Sequence, residues 1–153
     1  MKKIYSILLF CFICFSLTAC EPIPVSYPDD YLIDVERVEL INYENSDRST
    51  FDFEKMTIVE ELKSEKLDDF IQDISELYMW RRVANCDFEN VSIRIIYSNG
   101  YFEVISCNNT DKKVISNLVR YDAEGILIKD IGSLEFRSDY VNLINNYFTT
   151  QIN

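Results

Sequence analysis

Apolar and polar positions alternate with two different periods along most of this chain, and one stretch is almost wholly apolar. Leu32 to Tyr43 places Val35, Ile41 and Tyr43 on one side and Val38 and Leu40 on the other, which predicts a strand. After a loop at Asn45-Ser46-Asp47, Thr50 to Val59 predicts a second strand carrying Phe51, Phe53 and Ile58. The period then lengthens. Leu67, Phe70, Ile71, Ile74, Leu77 and Tyr78 recur at helical spacing, so Glu65 to Tyr78 predicts an amphipathic helix. Ser64 is placed to cap it, and Glu65 suits the positive end of its dipole.

Period two returns from Ser92 to Tyr97 and from Tyr101 to Ser106, on either side of Asn99-Gly100. Asn-Gly suits a two-residue type I′ turn, which would set Tyr97 opposite Phe102 and Ile95 opposite Val104. The reverse face would hold Arg94, Ile96, Glu103 and Ile105. A second hairpin joins Val114–Tyr121 to Ile126–Ile131 through Asp122-Ala123-Glu124-Gly125, and Leu134 to Arg137 predicts another short strand. Gly100, Gly125 and Gly132 all read as turn residues. A closing helix runs from Asp139 to about Phe148, capped by Ser138, with Tyr140, Ile144, Tyr147 and Phe148 as its apolar stripe. The order ββα-βββ(β)-α predicts an α+β domain. Its antiparallel sheet has about five to six strands, with two helices against one face.

The almost wholly apolar stretch is Ile4 to Leu17, behind Lys2 and Lys3. As a helix it would reach only ~21 Å, short of the ~30 Å hydrocarbon core, so a cleaved export signal is favoured over a permanent span. It ends in Leu17-Thr18-Ala19-Cys20, which resembles the lipobox of a bacterial lipoprotein. That resemblance implies cleavage before Cys20, a diacylglycerol thioether on Cys20, and a stable anchor of two or more acyl chains. It implies a lipid-anchored location on the exported side of the cell membrane or envelope. Without the resemblance, Cys20 would be a core or disulfide cysteine behind an ordinary signal. The expected organisation is a signal peptide at 1–19, a proline-containing tether at 20–31 and one domain at 32–153. All three prolines fall between residues 22 and 28. An extended segment from Glu21 to Tyr31 would span ~34 Å at ~3.1 Å per residue.

Charge narrows the partners. Loss of residues 1–19 removes two lysines and no acid, which leaves 13 basic and 26 acidic residues, a net charge of −13. Such a surface repels nucleic acid and anionic lipid headgroups and would attract a basic partner; equally, it keeps a domain soluble beside a membrane. The chain has no histidine. This excludes Ser-His-Asp and Cys-His catalysis and imidazole zinc sites. No residue spacing calls for a metal or another cofactor.

Cys86 and Cys107 remain after Cys11 and Cys14 leave with the signal. An even pair on an oxidising side is a disulfide candidate. In the register above they would lie ~20 Å apart if the strand continued, so a bond requires residues 86–90 to turn back or Cys107 to leave the ladder. Two buried thiols are the alternative. Tyr78-Met79-Trp80-Arg81-Arg82 reads as the end of the main helix. Trp80, Arg81 and Arg82 form a candidate contact site, because Trp and Arg dominate binding hot spots. The plainer reading is that Trp80 closes the core while the arginines complement the helix end. Asp68, Asp69, Asp73 and Glu76, with Glu60, Glu61 and Glu65, form an acidic field that is either a docking face or a solvated one.

Three functions compete on these residues. The first is a non-enzymatic surface lipoprotein that binds a protein, peptide or wall component. The second is an inhibitor or immunity lipoprotein whose acidic face neutralises a basic toxin or lytic enzyme. The third is a carboxylate-based hydrolase, for which no particular pair is marked. The residue usage of the domain also resembles that of small lipoproteins of low-GC bacteria, a likeness that implies no activity.

Overall fold

The computed structural model describes residues 24–25, 31–77, 79–81, 91–106, 108–110, 113–136 and 139–150. Cys20, Arg82, Cys86 and Cys107 lie outside these residues, as do the signal segment, Tyr78 and Ser138.

Among the described residues the fold is α+β and dominated by one antiparallel sheet. Six strands are five residues or longer: β2 (Val35–Tyr43), β3 (Met56–Glu61), β5 (Val91–Tyr97), β6 (Phe102–Ser106), β8 (Lys113–Tyr121) and β9 (Leu127–Phe136). Three short ones, β1 (Pro24–Val25), β4 (Met79–Arg81) and β7 (Asn108–Thr110), extend them. The spatial order is β1-β4-β9-β8-β6-β5-β2-β3, with β7 paired to β8. Two helices complete the fold, α1 (Leu67–Ser75) and α2 (Asp139–Tyr147).

The sheet is buried on both faces, which explains why its central strands are so apolar. On the first face Val38, Leu40, Ile93, Ile95, Ile105 and Leu118 pack with Phe70 and Ile74 of α1 and with Leu143, Ile144 and Phe148 at α2. This matches the expectation of helices against one face. On the second face Ile41, Tyr43, Ile96, Phe102, Val104, Val119 and Tyr121 pack beneath Phe51. Their cover is the β2–β3 connection. Phe51 stacks on Tyr43 with ring centroids 4.2 Å apart and meets Phe102 edge-on at 5.0 Å. Its N–H donates to the Gly125 carbonyl at 2.7 Å. The strand expected over Thr50 to Val59 therefore begins only at Met56. Residues 50–55 cross the sheet instead, through a short 3-10 turn at Phe53–Lys55 in which the Asp52 carboxylate accepts the Glu54 N–H.

Further sequence expectations are corrected. The β5–β6 loop holds three residues, Ser98, Asn99 and Gly100, with the Tyr97 N–H donating to the Tyr101 carbonyl at 2.9 Å and Gly100 at φ +83°. One extra loop residue slides the register, so Ile96 faces Phe102, Ile95 faces Glu103 and Arg94 faces Val104. Arg94 and Glu103 consequently lie on opposite faces of the sheet. Gly132 sits inside β9, beside the register shift opposite Leu118 and Val119, and not in a turn. Leu134 to Phe136 continue β9. Lys63, not Ser64, occupies the cap position of a 3-10 turn at Ser64–Lys66, and α1 starts after it at Leu67.

The main helix stops at Ser75, so Trp80 and Arg81 do not end it. They belong to β4, where Trp80 pairs with Glu135 of β9 on one side and Pro24 of β1 on the other. Pro24 and Val25 are extended, as a tether would be, yet they pair with the sheet. Proline fits there because an edge strand has one side with no ladder to support.

Candidate functional site

Two buried ion pairs, one on each face, organise the polar groups of the sheet. On the second face Glu39 lies opposite Arg94 across β2 and β5. Arg94 Nη2 is 2.8 Å from Glu39 Oε2, and Arg37 Nε is 2.9 Å from Oε1. Arg94 also reaches Met56 Sδ at 3.1 Å and lies 5.5 Å from the Phe102 ring centroid. Burial lowers the Arg94 pKa, while Glu39 pulls it back toward its ordinary value.

On the first face Glu103 of β6 lies opposite Arg120 of β8. Glu103 is completely buried, and Arg120 Nε donates to its Oε1 at 2.8 Å. The Arg120 guanidinium carbon lies 3.5 Å from the centroid of the Tyr31 ring and 5.1 Å from that of Tyr97. Lys129 approaches Tyr31 at 5.5 Å, and the Tyr97 hydroxyl donates to the Tyr31 carbonyl at 3.2 Å. Burial works against the charge on Arg120, but Glu103 outweighs it and raises the pKa, so the guanidinium stays protonated. Burial, then the Glu103 carboxylate, pushes the Tyr97 phenol far above its ordinary range. It remains a neutral hydrogen-bond donor.

This second pair backs a cleft of about 150 Å³ lined by Ile33, Asp34, Tyr97, Ser98, Asn99, Tyr101 and Arg120. The cleft opens at one end of the sheet, where several loops meet. Ser98 N–H donates to the Asp34 carbonyl at 3.0 Å, and Asp34 adopts φ +58°, a conformation that Asp tolerates better than most residues. Gly100 lies against Ala123, and Gly125 lies against Phe51 and Phe53. At this end Ile33 is 60% exposed, Ile126 50%, Phe53 43% and Tyr101 39%. They are four of the seven large hydrophobics exposed among the described residues. Exposed apolar groups beside fixed polar groups are the ingredients of a contact surface. The cleft has the size of one partner side chain.

A wider groove of about 590 Å³ is lined by Asn42, Tyr43, Glu44, Lys55 and Thr57. Among the described residues its lining has one carboxylate, Glu44, and one amine, Lys55. Among the described residues no three His, Cys, Asp or Glu side chains gather as metal ligands.

The acidic field is partly spent on internal contacts. Asp73 accepts from the Tyr147 hydroxyl at 2.7 Å. Glu60 accepts the N–H groups and hydroxyls of Thr149 and Thr150, with Thr149 N–H at 2.9 Å. Asp68 and Asp69 fall in the first turn of α1, where the helix dipole favours them. The contact site expected at Trp80 and Arg81 is a β4 feature, while Arg82 lies outside the described residues. Neither Arg120 nor the Tyr31–Tyr97 pair stands out in the sequence. The signal lay in the hairpin register: a three-residue loop at Ser98–Gly100 places Glu103 opposite a β5 isoleucine and leaves its ion partner to β8. No protein-family model, curated protein or solved structure matches this chain.

Proposed function

We propose that this chain is a membrane-anchored bacterial surface lipoprotein whose domain is a non-enzymatic binding module. Its contact surface is the loop end that carries Ile33, Tyr101, Phe53 and Ile126. The observation that carries the anchor is Leu17-Thr18-Ala19-Cys20 at the close of the apolar run. The binding reading is supported by Ile33 and Tyr101, exposed at the rim of a small cleft with a fixed guanidinium behind it. It is supported further by the engagement of both buried carboxylates, Glu39 and Glu103, with arginines, which ties them to structure. The partner is a protein or cell-wall component that inserts one side chain between Tyr97, Tyr101 and Ile33.

Fractionation of cells carrying the wild-type chain and Cys20→Ser tests the anchor. The wild type is expected with membranes, with a diacylglycerol-modified N-terminal peptide by mass, and the variant without either. Crosslinking on the cell surface tests the binding end. Ile33→Ser with Tyr101→Ser should abolish the crosslinked species and leave the folded domain intact. Unchanged crosslinking would overturn the assignment of this end.

The inhibitor reading rests on a different face. Glu61, Glu65, Asp68 and Asp69 are exposed, and Asp68 and Asp69 lie in the first turn of α1. Binding of a basic lytic enzyme that weakens steeply with salt and fails on charge reversal of Asp68 and Asp69 would favour it.

A further inference from the structure

We propose that the cleft in front of Arg120 receives a single aromatic ring, a phenylalanine or tyrosine side chain of a partner protein, which stacks on the open face of the guanidinium. The assignment rests on this end being the contact surface and names the chemistry of what enters it. Arg120 is held from two sides. Its guanidinium carbon lies 3.5 Å from the Tyr31 centroid, and its Nε and Nη2 both donate to Glu103 Oε1. So close a carbon leaves room only for a near-parallel stack, because an edge-on guanidinium would drive a nitrogen inside van der Waals contact with the ring. One flat face is thus covered by Tyr31 and one edge by Glu103. The 17% of the side chain that stays exposed opens on the cleft. Presented there is the second face of a delocalised cation, a surface on which aromatic rings stack. Glu103 already fixes the rotamer, so stacking demands no further ordering of this side chain.

Size and charge agree. A cavity of ~150 Å³ takes up one benzene molecule, and this cleft measures about 150 Å³. Ile33 and Tyr101 supply apolar contact at its rim, and a tyrosine ring there can meet an entering ring edge to face. Two cations and two carboxylates stand at or behind the cleft: Arg120 and Lys129, Glu103 and Asp34. Their charges cancel, so the cleft selects neither sign. An ammonium group would meet Arg120, and a carboxylate would meet Asp34 and Glu103. An aliphatic side chain would cover the guanidinium without the quadrupole attraction of a ring. An aromatic ring answers the open face and adds no charge. Glycan strands carry no such ring, so the partner is a protein.

Ring-current shifts make the occupant measurable. The full chain in detergent, with isotope-labelled isoleucine methyls and arginine nitrogens, is titrated by NMR with N-acetyl-tyrosinamide. Parallel titrations use N-acetyl-leucinamide, N-acetyl-lysinamide, N-acetyl-aspartamide and N-acetylglucosamine. The tyrosine probe should saturate at a several-fold lower concentration than the others. It should shift the Ile33 methyls and move the Arg120 Nε–H upfield, while the Ile58 methyls on β3 stay in place. Tyr101→Ser should weaken that binding several-fold. Failure of the tyrosine probe to saturate, saturation by another probe at an equal or lower concentration, or undiminished binding in Tyr101→Ser overturns the ring assignment. Cell-surface crosslinking that still depends on Ile33 and Tyr101 would then leave the contact surface standing. Crosslinking indifferent to both residues overturns the surface and its occupant together.

Discussion

Arg94 and Glu39 face each other across the β2–β5 ladder, with 2.8 Å between Nη2 and Oε2 and both side chains almost wholly out of solvent. Removing Arg94 leaves the buried Glu39 carboxylate with only the exposed Arg37 as its ion partner, in an apolar face beneath the β2–β3 connection. Arg94→Met is expected to cost about 3–5 kcal/mol. Glu39→Leu/Arg94→Met should recover most of that loss, because the pair as a whole must also repay its desolvation. Urea denaturation of the single and double variants checks this, and equal losses in both would contradict it.

Arg120 sits closer to an aromatic ring than Arg94, which lies 5.5 Å from the Phe102 centroid. Its guanidinium carbon sits 3.5 Å from the Tyr31 centroid while its Nε engages Glu103. A lysine would keep the charge and lose both the planar stacking and the fork geometry. Arg120→Lys should therefore destabilise the domain by about 1–3 kcal/mol, the range for a lost charged hydrogen bond. In a double-mutant cycle with Tyr31→Leu, the two losses should fail to add.

The covering connection depends on one glycine. At Gly125 φ is +83°, and a Cβ there would stand 2.8 Å from the Phe51 carbonyl oxygen. Gly132 has φ +88° and open space around it. Gly132→Ala should cost about 1–2 kcal/mol for the left-handed backbone alone. Gly125→Ala should cost more and should lower the hydrogen-exchange protection of the Phe51 N–H, which donates to the Gly125 carbonyl. Equal melting temperatures for the two variants would contradict the close approach.

Glu60 links the chain beyond α2 to β3, and its protonation should loosen that link. Desolvation raises its pKa, but the donors of Thr149 and Thr150 outweigh this and hold it below the usual carboxylate range. A depressed folded pKa means that the stabilisation is complete above the ordinary glutamate pKa and is lost as pH falls through the lowered value. Amide signals of Thr149 and Thr150 should shift together in that acid window by NMR. They should not titrate there in Glu60→Gln.

The long periodic segments were legible because burial enforces period. Phe70 and Ile74 of α1 and the apolar positions of β5 and β6 follow it directly. Three features were not legible, for separate physical reasons. Asn99-Gly100 suits a two-residue turn, but Asn99 instead accepts the Tyr101 N–H through Oδ1 at 2.9 Å, within a loop one residue longer. Phe51 and Phe53 resemble strand residues by composition, yet they cover the sheet from a crossing segment; alternation cannot tell a strand from a plug. Arg120 reads as the polar position of an amphipathic strand, and only its cross-strand neighbour Glu103 reveals a buried pair. Pairing between strands distant in sequence is what a single chain's pattern leaves unspecified.

The two faces of the sheet are closed by unlike materials, and this divides the risk of exposure unevenly. Helices α1 and α2 satisfy their own main chain and hold their face through packing. The 44–55 connection has few ladder bonds of its own and closes its face through Phe51 and a handful of contacts with Gly125, Ile126 and Leu127. A protease that cuts this connection would leave every long strand paired while uncovering Tyr43, Phe102, Val119 and Tyr121. The nicked protein would keep its sheet and become sticky, and would be cleared through self-association before it ever unfolded.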